Sequence, residues 1–207
     1  EVGLSMNCDS RVPGPAEALL PRRLTGLISC NSPAIGSAGF LAEGGKSEAM
    51  IATSRLHLWS LERHDLMKNY HWANQRQLIR WTGMHPFPKT AGELERWFEN
   101  LSSRQDMKIF AIKTKESDYV GNVELRDIDW LTGKAEVGIF LAEPEARGLG
   151  LGREALRGLV DFAFLDLRLH RLYAKILETN SAAQKAFESC DFELEGRERQ
   201  AHFDQGR

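Results

Sequence analysis

The 207-residue chain has no surplus of either charge, with 27 Lys and Arg against 29 Asp and Glu and a formal net charge of −2. Recognition of nucleic acid by surface charge needs a basic stripe, and neither that nor an acidic block is present. Cysteine is scarce. Cys8, Cys30 and Cys190 show no paired or metal-ligand spacing, and an odd count does not suit a disulfide framework. A reducing, cytoplasmic setting is expected. No apolar run approaches the roughly eighteen residues of a membrane span, and no hydrophobic segment follows the N-terminus as in a signal peptide. Aromatics are almost missing from residues 1–49, where Phe40 stands alone among Gly, Pro, Ser and Ala. That stretch reads as a poorly ordered extension, and residues 50–207 as the globular domain.

What is present is 42% hydrophobic content, enough for one ordinary domain, and one stretch around which it is organised. A strand-like run, Ala135 to Leu141, stops at Pro144. A helical pattern follows, with Leu156, Leu159, Val160, Ala163, Phe164 and Leu167 at steps of three and four. Between them stands Arg147-Gly148-Leu149-Gly150-Leu151-Gly152-Arg153. Glycine there permits positive φ and close approach of another molecule to the backbone. The first-turn N–H groups of a helix lack partners within it and carry the positive end of its dipole. Such a turn can hold a phosphate or pyrophosphate, with Arg147 and Arg153 adding charge-assisted bonds. The alternative is a tight strand-to-helix turn that binds nothing. A dinucleotide fingerprint fails because Arg153 stands where its third glycine belongs, and a P-loop fails because Gly152 is followed by Arg153-Glu154. Gly44-Gly45-Lys46-Ser47 also misses the P-loop spacing, with Phe40 in place of the first glycine.

The rest alternates strands and helices. Leu56 and Leu58 mark a short strand by period two. A helix follows with Leu66, Tyr70 and Ala73 spaced for one face, then a proline-marked loop from Met84 to Lys89. Thr90 and Glu93 form a capping box for a helix through Leu94, Trp97 and Phe98. Met107–Lys113 and Tyr119–Ile128 read as strands, and Leu131-Thr132-Gly133 turns the second into the signature strand as a hairpin. Leu169–Leu177 alternates as another strand. Asn180 or Ser181 caps a helix from Ala182 to about Ser189, and Phe192–Gly196 begins a further strand. His57, His64, His71 and His85, with Trp59, Trp72 and Trp81, match no metal-ligand spacing. They are expected to wall one side of the core, as large aromatics mostly do.

Val137-Gly138-Ile139-Phe140-Leu141 followed by Pro144-Glu145-Ala146-Arg147-Gly148-Leu149-Gly150-Leu151-Gly152 resembles the acetyl-coenzyme A signature of the GCN5-related N-acetyltransferase superfamily. Arg147, Gly150 and Gly152 match its fixed places. Gly121-Asn122-Val123-Glu124-Leu125 is similar to the RimJ/RimL-type and spermidine acetyltransferase branches. The resemblance runs from about Ser54 to the C-terminus. It implies an α/β domain with a mixed, mainly antiparallel twisted sheet flanked by helices. Acetyl-coenzyme A would lie in a splay between the signature strand and the Leu172–Leu177 strand, held by residues 147–153 and by Asn180 on the pantetheine arm.

The activity implied is acetyl transfer to a primary amine by direct attack on the thioester. A peptide N-terminus is the first acceptor expected and a polyamine or amino-sugar the second, with a homodimer among the oligomers allowed. Backbone N–H groups near Phe140 and Leu141 would polarise the thioester carbonyl. Glu136 or Glu124, on successive strands of one hairpin, would remove the ammonium proton. Glu136 is favoured because its strand runs beside the cofactor. The alternative for each is a solvated or ion-paired strand glutamate.

Phe187 departs from the pattern, standing where many relatives have a tyrosine acid. The chain also stops at Arg207, in what reads as the turn before a last strand. Both features make a coenzyme A-binding regulatory module with little turnover the opposing possibility. A phosphate-binding enzyme of another class comes third. Trp72, Trp81 and Phe87 are candidates to shape the acceptor pocket.

Overall fold

The computed structural model describes residues 2–7, 49–82 and 87–201. Its strands are β1 (Val2–Asn7), β2 (Ile51–Ala52), β3 (Leu56–Ser60), β4 (Lys108–Thr114), β5 (Tyr119–Asp129), β6 (Lys134–Leu141), β7 (Arg171–Ile176) and β8 (Glu193–Arg197). The helices are α1 (Leu66–Ala73), α2 (Arg76–Thr82), α3 (Ala91–Leu101), α4 (Leu151–Leu165) and α5 (Ser181–Glu188). The strands form one sheet in the order β2-β3-β4-β5-β6-β7-β1-β8. β6 and β7 pair parallel and the other neighbours antiparallel. A parallel pair needs a long crossover, and α4 supplies it.

α4 and α5 cover one face of the sheet. Leu151, Leu156, Leu159, Val160 and Phe164 of α4 are buried. At about 1.5–3 kcal/mol for each large side chain removed from water, this helix face is among the main stabilising contributions. Leu4, Leu56, Leu58, Ile112, Val123, Leu125 and Leu172 meet it from the strands. The other face carries a smaller cluster, in which Leu66 and Trp72 of α1 and Leu78 of α2 pack with Ala111, Tyr119 and Ala142. α3 begins with the expected capping box. The Glu93 N–H donates to Thr90 Oγ1 (3.2 Å) and the Thr90 N–H to Glu93 Oε2 (2.7 Å).

The buried face of α1 is Leu66, Asn69 and Trp72, not Leu66, Tyr70 and Ala73 as the apolar spacing suggested. A ring of hydrogen bonds accounts for the shift. Asn69 Nδ2 donates to Tyr119 Oη (2.7 Å), Tyr119 Oη to Asn122 Oδ1 (2.6 Å), and Asn122 Nδ2 to Asn69 Oδ1 (3.0 Å). With every member paired, burying these groups carries little penalty.

The expectation that all of residues 1–49 lie outside the domain is corrected at its beginning. Val2–Asn7 is a strand of the sheet, antiparallel to β7 on one side and β8 on the other. Val2, Leu4 and Met6 point into the core, the period-two pattern of a half-buried strand. The crossover through α5 sets β7 and β8 two places apart, and β1 fills the space between them. The candidate glycine-lysine motif at 44–47, His85 and the turn at 204–207 lie outside the described residues.

Candidate active site

The sequence-predicted turn forms where β6 ends. Gly148 and Gly150 take positive φ, 72° and 78°, where a Cβ costs roughly 1–2 kcal/mol. Gly152 lies inside the first turn of α4. Gly150 is the N-cap and no side chain caps the helix. The first intrahelical bond runs from the Glu154 N–H to the Gly150 carbonyl (3.1 Å), so the N–H groups of Leu151, Gly152 and Arg153 face out of the helix start. The Leu149 side chain is exposed and that of Leu151 is buried. Only the backbone of Leu151 is therefore presented to a ligand.

Arg147 turns inward rather than along the turn. Its Nε donates to the Leu141 carbonyl (2.9 Å) and Nη2 to the Ala142 carbonyl (2.6 Å). Arg153 is exposed. Arg55, which sequence reasoning passed over, reaches the turn from the β2–β3 hairpin. Its Nη1 donates to the Leu149 carbonyl (2.9 Å) and its Nε to Glu154 Oε2 (2.7 Å). Ninety-four residues separate the two ends of that first contact, and no local pattern reports it.

Glu154 fastens α4 to the hairpin. Its Oε1 accepts from Thr53 Oγ1 (2.6 Å), Ser54 Oγ (2.9 Å) and the Arg55 N–H (2.7 Å). Burial alone would raise this carboxyl. The bonds from Thr53, Arg55 and Ser54 outweigh it and hold the pKa at about 2. A groove of about 660 Å³ runs along α4 past Arg55, Gly150, Arg153 and Arg157. It lies on the face of the sheet opposite the two candidate catalytic glutamates.

Beside the turn, β6 and β7 part. Their pairing runs from Lys134 with Arg171 to Glu136 with Tyr173 and goes no further among the described residues. β6 from residue 137 and β7 from residue 174 thus border an open gap, with Leu141 at one rim, while Phe140 pairs with Asn122 and its carbonyl faces Gly121 of β5. Asn180 stands beyond the end of β7 as the N-cap of α5, its Oδ1 accepting from the Ala183 N–H (3.1 Å). Phe187, buried, packs edge-on against Phe192 at 4.9 Å.

Glu124, Arg126, Glu136 and Tyr173 all stand on the sheet face away from α4. Alternation along the strands places them there, and the pairings Glu124 with Gly138, Arg126 with Glu136 and Glu136 with Tyr173 bring them into one cluster. The hairpin therefore unites both candidate carboxylates, but in unequal settings. Arg126 Nη2 donates to Glu136 Oε1 at 2.5 Å, while Arg126 Nε lies 3.5 Å from Glu124 Oε1. The Glu124 carboxylate lies across Gly138, where a Cβ would stand 2.7 Å from its Oε1. Burial pushes the Glu124 carboxyl up, opposed by Arg126 and reinforced by Glu136. Arg126 thus holds Glu136 more closely than it holds Glu124. Tyr173, whose phenol is raised by burial and by the charge of Glu136, was legible only as one step of an alternating strand. Its hydroxyl keeps its proton and can donate it.

Residues 55–193 match the family model described as an acetyltransferase (GNAT) domain. The spermidine N(1)-acetyltransferase of Vibrio cholerae is 29% identical over 154 residues, 74% of this chain and 88% of that protein. The human alpha/beta-tubulin-N-acetyltransferase 9 is 37% identical over 82 residues, 39% of each chain. Among solved structures, the V. cholerae spermidine N-acetyltransferase in complex with CoA and spermine superposes with a TM-score of 0.71 at 28% identity, covering 75% of this chain and 90% of that one. With its signature turn at the start of α4 and a sheet that opens beside it, this chain belongs to the GNAT acetyltransferase family.

Proposed function

We propose that the chain transfers the acetyl group of acetyl-coenzyme A to a primary amine by direct attack, with Glu124 as the general base. The observation that carries this is the opening of β6 from β7 directly beside the glycine turn, with the half-buried Glu124 carboxylate lying across Gly138 at the inner end of that opening. Pyrophosphate would sit on the N–H groups that begin α4, flanked by Arg153. The pantetheine arm would enter the gap past Asn180. The thioester carbonyl would then meet the backbone N–H groups near Phe140 and Leu141, donors fixed in place before the reaction.

The acceptor approaches from the other face of the sheet. Glu124 takes a proton from its ammonium, the neutral nitrogen attacks the carbonyl carbon, and the tetrahedral intermediate collapses by breaking the C–S bond. The leaving thiolate takes a proton from the Tyr173 hydroxyl, since Phe187 has none to give, and the phenolate so formed takes the second proton of the attacking nitrogen, leaving a neutral amide and a free thiol. Glu136 is held in place by Arg126 on the same wall of the cleft.

For the acceptor, a polyamine has the broader support, because the spermidine-named relative aligns over 88% of its length. A protein amine is second, supported by the shorter match to the tubulin acetyltransferase. Release of free coenzyme A thiol is to be measured with spermidine and with a peptide bearing a free N-terminus. Glu124→Gln is expected to lower kcat/KM by about 10²–10⁴ while acetyl-coenzyme A still stabilises the fold. In the wild type, the acid limb of kcat/KM should lie above the ordinary glutamate range, because the raised carboxyl must lose its proton to act. A Gln variant with wild-type rate and pH profile removes Glu124 from the mechanism.

A further inference from the structure

We propose that Trp81 is a positioning residue for the donor site, its indole holding the Arg147 guanidinium against the end of β6 and coupling that site to the helical wall of the acceptor cleft. This rests on the reading of residues 140–153 as the acetyl-coenzyme A site. The guanidinium carbon of Arg147 lies 5.1 Å from the centroid of the Trp81 ring, within the range of a cation–π contact. Two nitrogens of the same guanidinium bind the Leu141 and Ala142 carbonyls. It is therefore bonded along its edge and covered on its face.

These carbonyls belong to the rim of the gap. Leu141 is the last residue of β6, and the Ala142 N–H donates to the Val120 carbonyl (2.9 Å), so Arg147 sets the angle at which the signature turn leaves the sheet. Trp81 is 45% exposed, and its contact with Arg147 gives it a role that core packing does not. Covering the guanidinium keeps water from competing for its N–H groups, which strengthens both bonds to the carbonyls.

The wall bears on the same strand end at a second place. Trp72 of α1 packs edge-on against Phe140 at 6.1 Å. One tryptophan of each helix thus touches the donor side. A shift of α1 and α2 on acceptor binding would be felt at residues 140–142 and 147.

The test has two readouts. In the ligand-free protein, Trp81→Ala is expected to speed amide hydrogen exchange across residues 140–153, with exchange in α4 beyond its first turn unchanged and Trp81→Phe close to wild type. In titrations with acetyl-coenzyme A, Trp81→Ala is expected to raise Kd by about three- to thirtyfold, the range of a cation–π contact from exposed to desolvated settings. Trp81→Phe should recover most of the affinity, since phenylalanine keeps a ring face. Wild-type binding with an unchanged Kd and unchanged exchange in Trp81→Ala overturns the clasp and leaves the donor site standing. A folded wild type that does not bind acetyl-coenzyme A overturns the donor-site reading, and this proposal with it. A variant that unfolds at a lower temperature yet keeps wild-type exchange and Kd is behaving as a packing residue, which also overturns the clasp.

Discussion

Glu154→Gln tests whether the start of α4 is held in place electrostatically. In the wild type one carboxylate accepts from two hydroxyls, a backbone N–H and a guanidinium, all from residues 53–55. Glutamine keeps one acceptor oxygen and turns an NH₂ group toward donors that need an acceptor. The fall of the carboxyl from 4.5 to about 2 corresponds to about 3 kcal/mol as a ceiling, at 1.36 kcal/mol for each tenfold change in the proton equilibrium. The Arg55 side chain is 51% exposed, and solvent screening reduces the expected loss to about 1–2 kcal/mol. For a domain of this size that is a drop of very roughly 2–8 °C in Tm.

The sign of the pH dependence follows from the direction of the shift. The folded-state pKa is depressed, so the stabilisation is complete above the unfolded value of 4.5 and is lost as pH falls through about 2. Thermal unfolding of both proteins at pH 7 and at pH 3.5 is the assay. With these two pKa values, about three-fifths of the contribution survives at pH 3.5, so the gap between wild type and variant should narrow by about two-fifths. Equal stability at pH 7 would refute the staple. A gap of the same size at both pH values would refute its electrostatic origin and leave only a difference in shape.

Two further outcomes bear on the donor site. Saturation with acetyl-coenzyme A at about a hundred times its Kd should stabilise the wild type by roughly 2.7 kcal/mol, a rise of very roughly 5–10 °C in Tm. Gly150→Val should abolish that rise, since valine strains a backbone at φ 78° and disturbs the N–H groups that follow. An undiminished rise would move the phosphate away from this turn. Tyr173→Phe should lower kcat by about tenfold or more if the phenol protonates the thiolate, with the Kd of acetyl-coenzyme A unchanged in titrations. A wild-type kcat would assign that proton to water.

The local sequence determined a good deal. The capping box at Thr90 and Glu93, the hairpin turned at 131–133, the β6–turn–α4 signature and the Asn180 cap all depend on residues within a few positions of one another. Their physics can be read from spacing alone. Alternation along β5 and β6 was enough to bring Glu124 and Glu136 to one face. Tertiary structure decided the rest, because it depends on what lies opposite. Arg126 locks Glu136 and Gly138 leaves room for the Glu124 carboxylate, so different neighbours separate two glutamates that were nearly equivalent as letters. Arg55 and Glu154 meet across 99 positions, and Trp81 meets Arg147 only because α2 is laid over the end of β6. Val2, Leu4 and Met6 alternated from the start, but six residues ahead of a Gly-, Pro- and Ser-rich stretch form no sheet by themselves. They become β1 because β7 and β8 stand two places apart, and only the folded chain presents two strand edges with a hydrogen-bonding space between them.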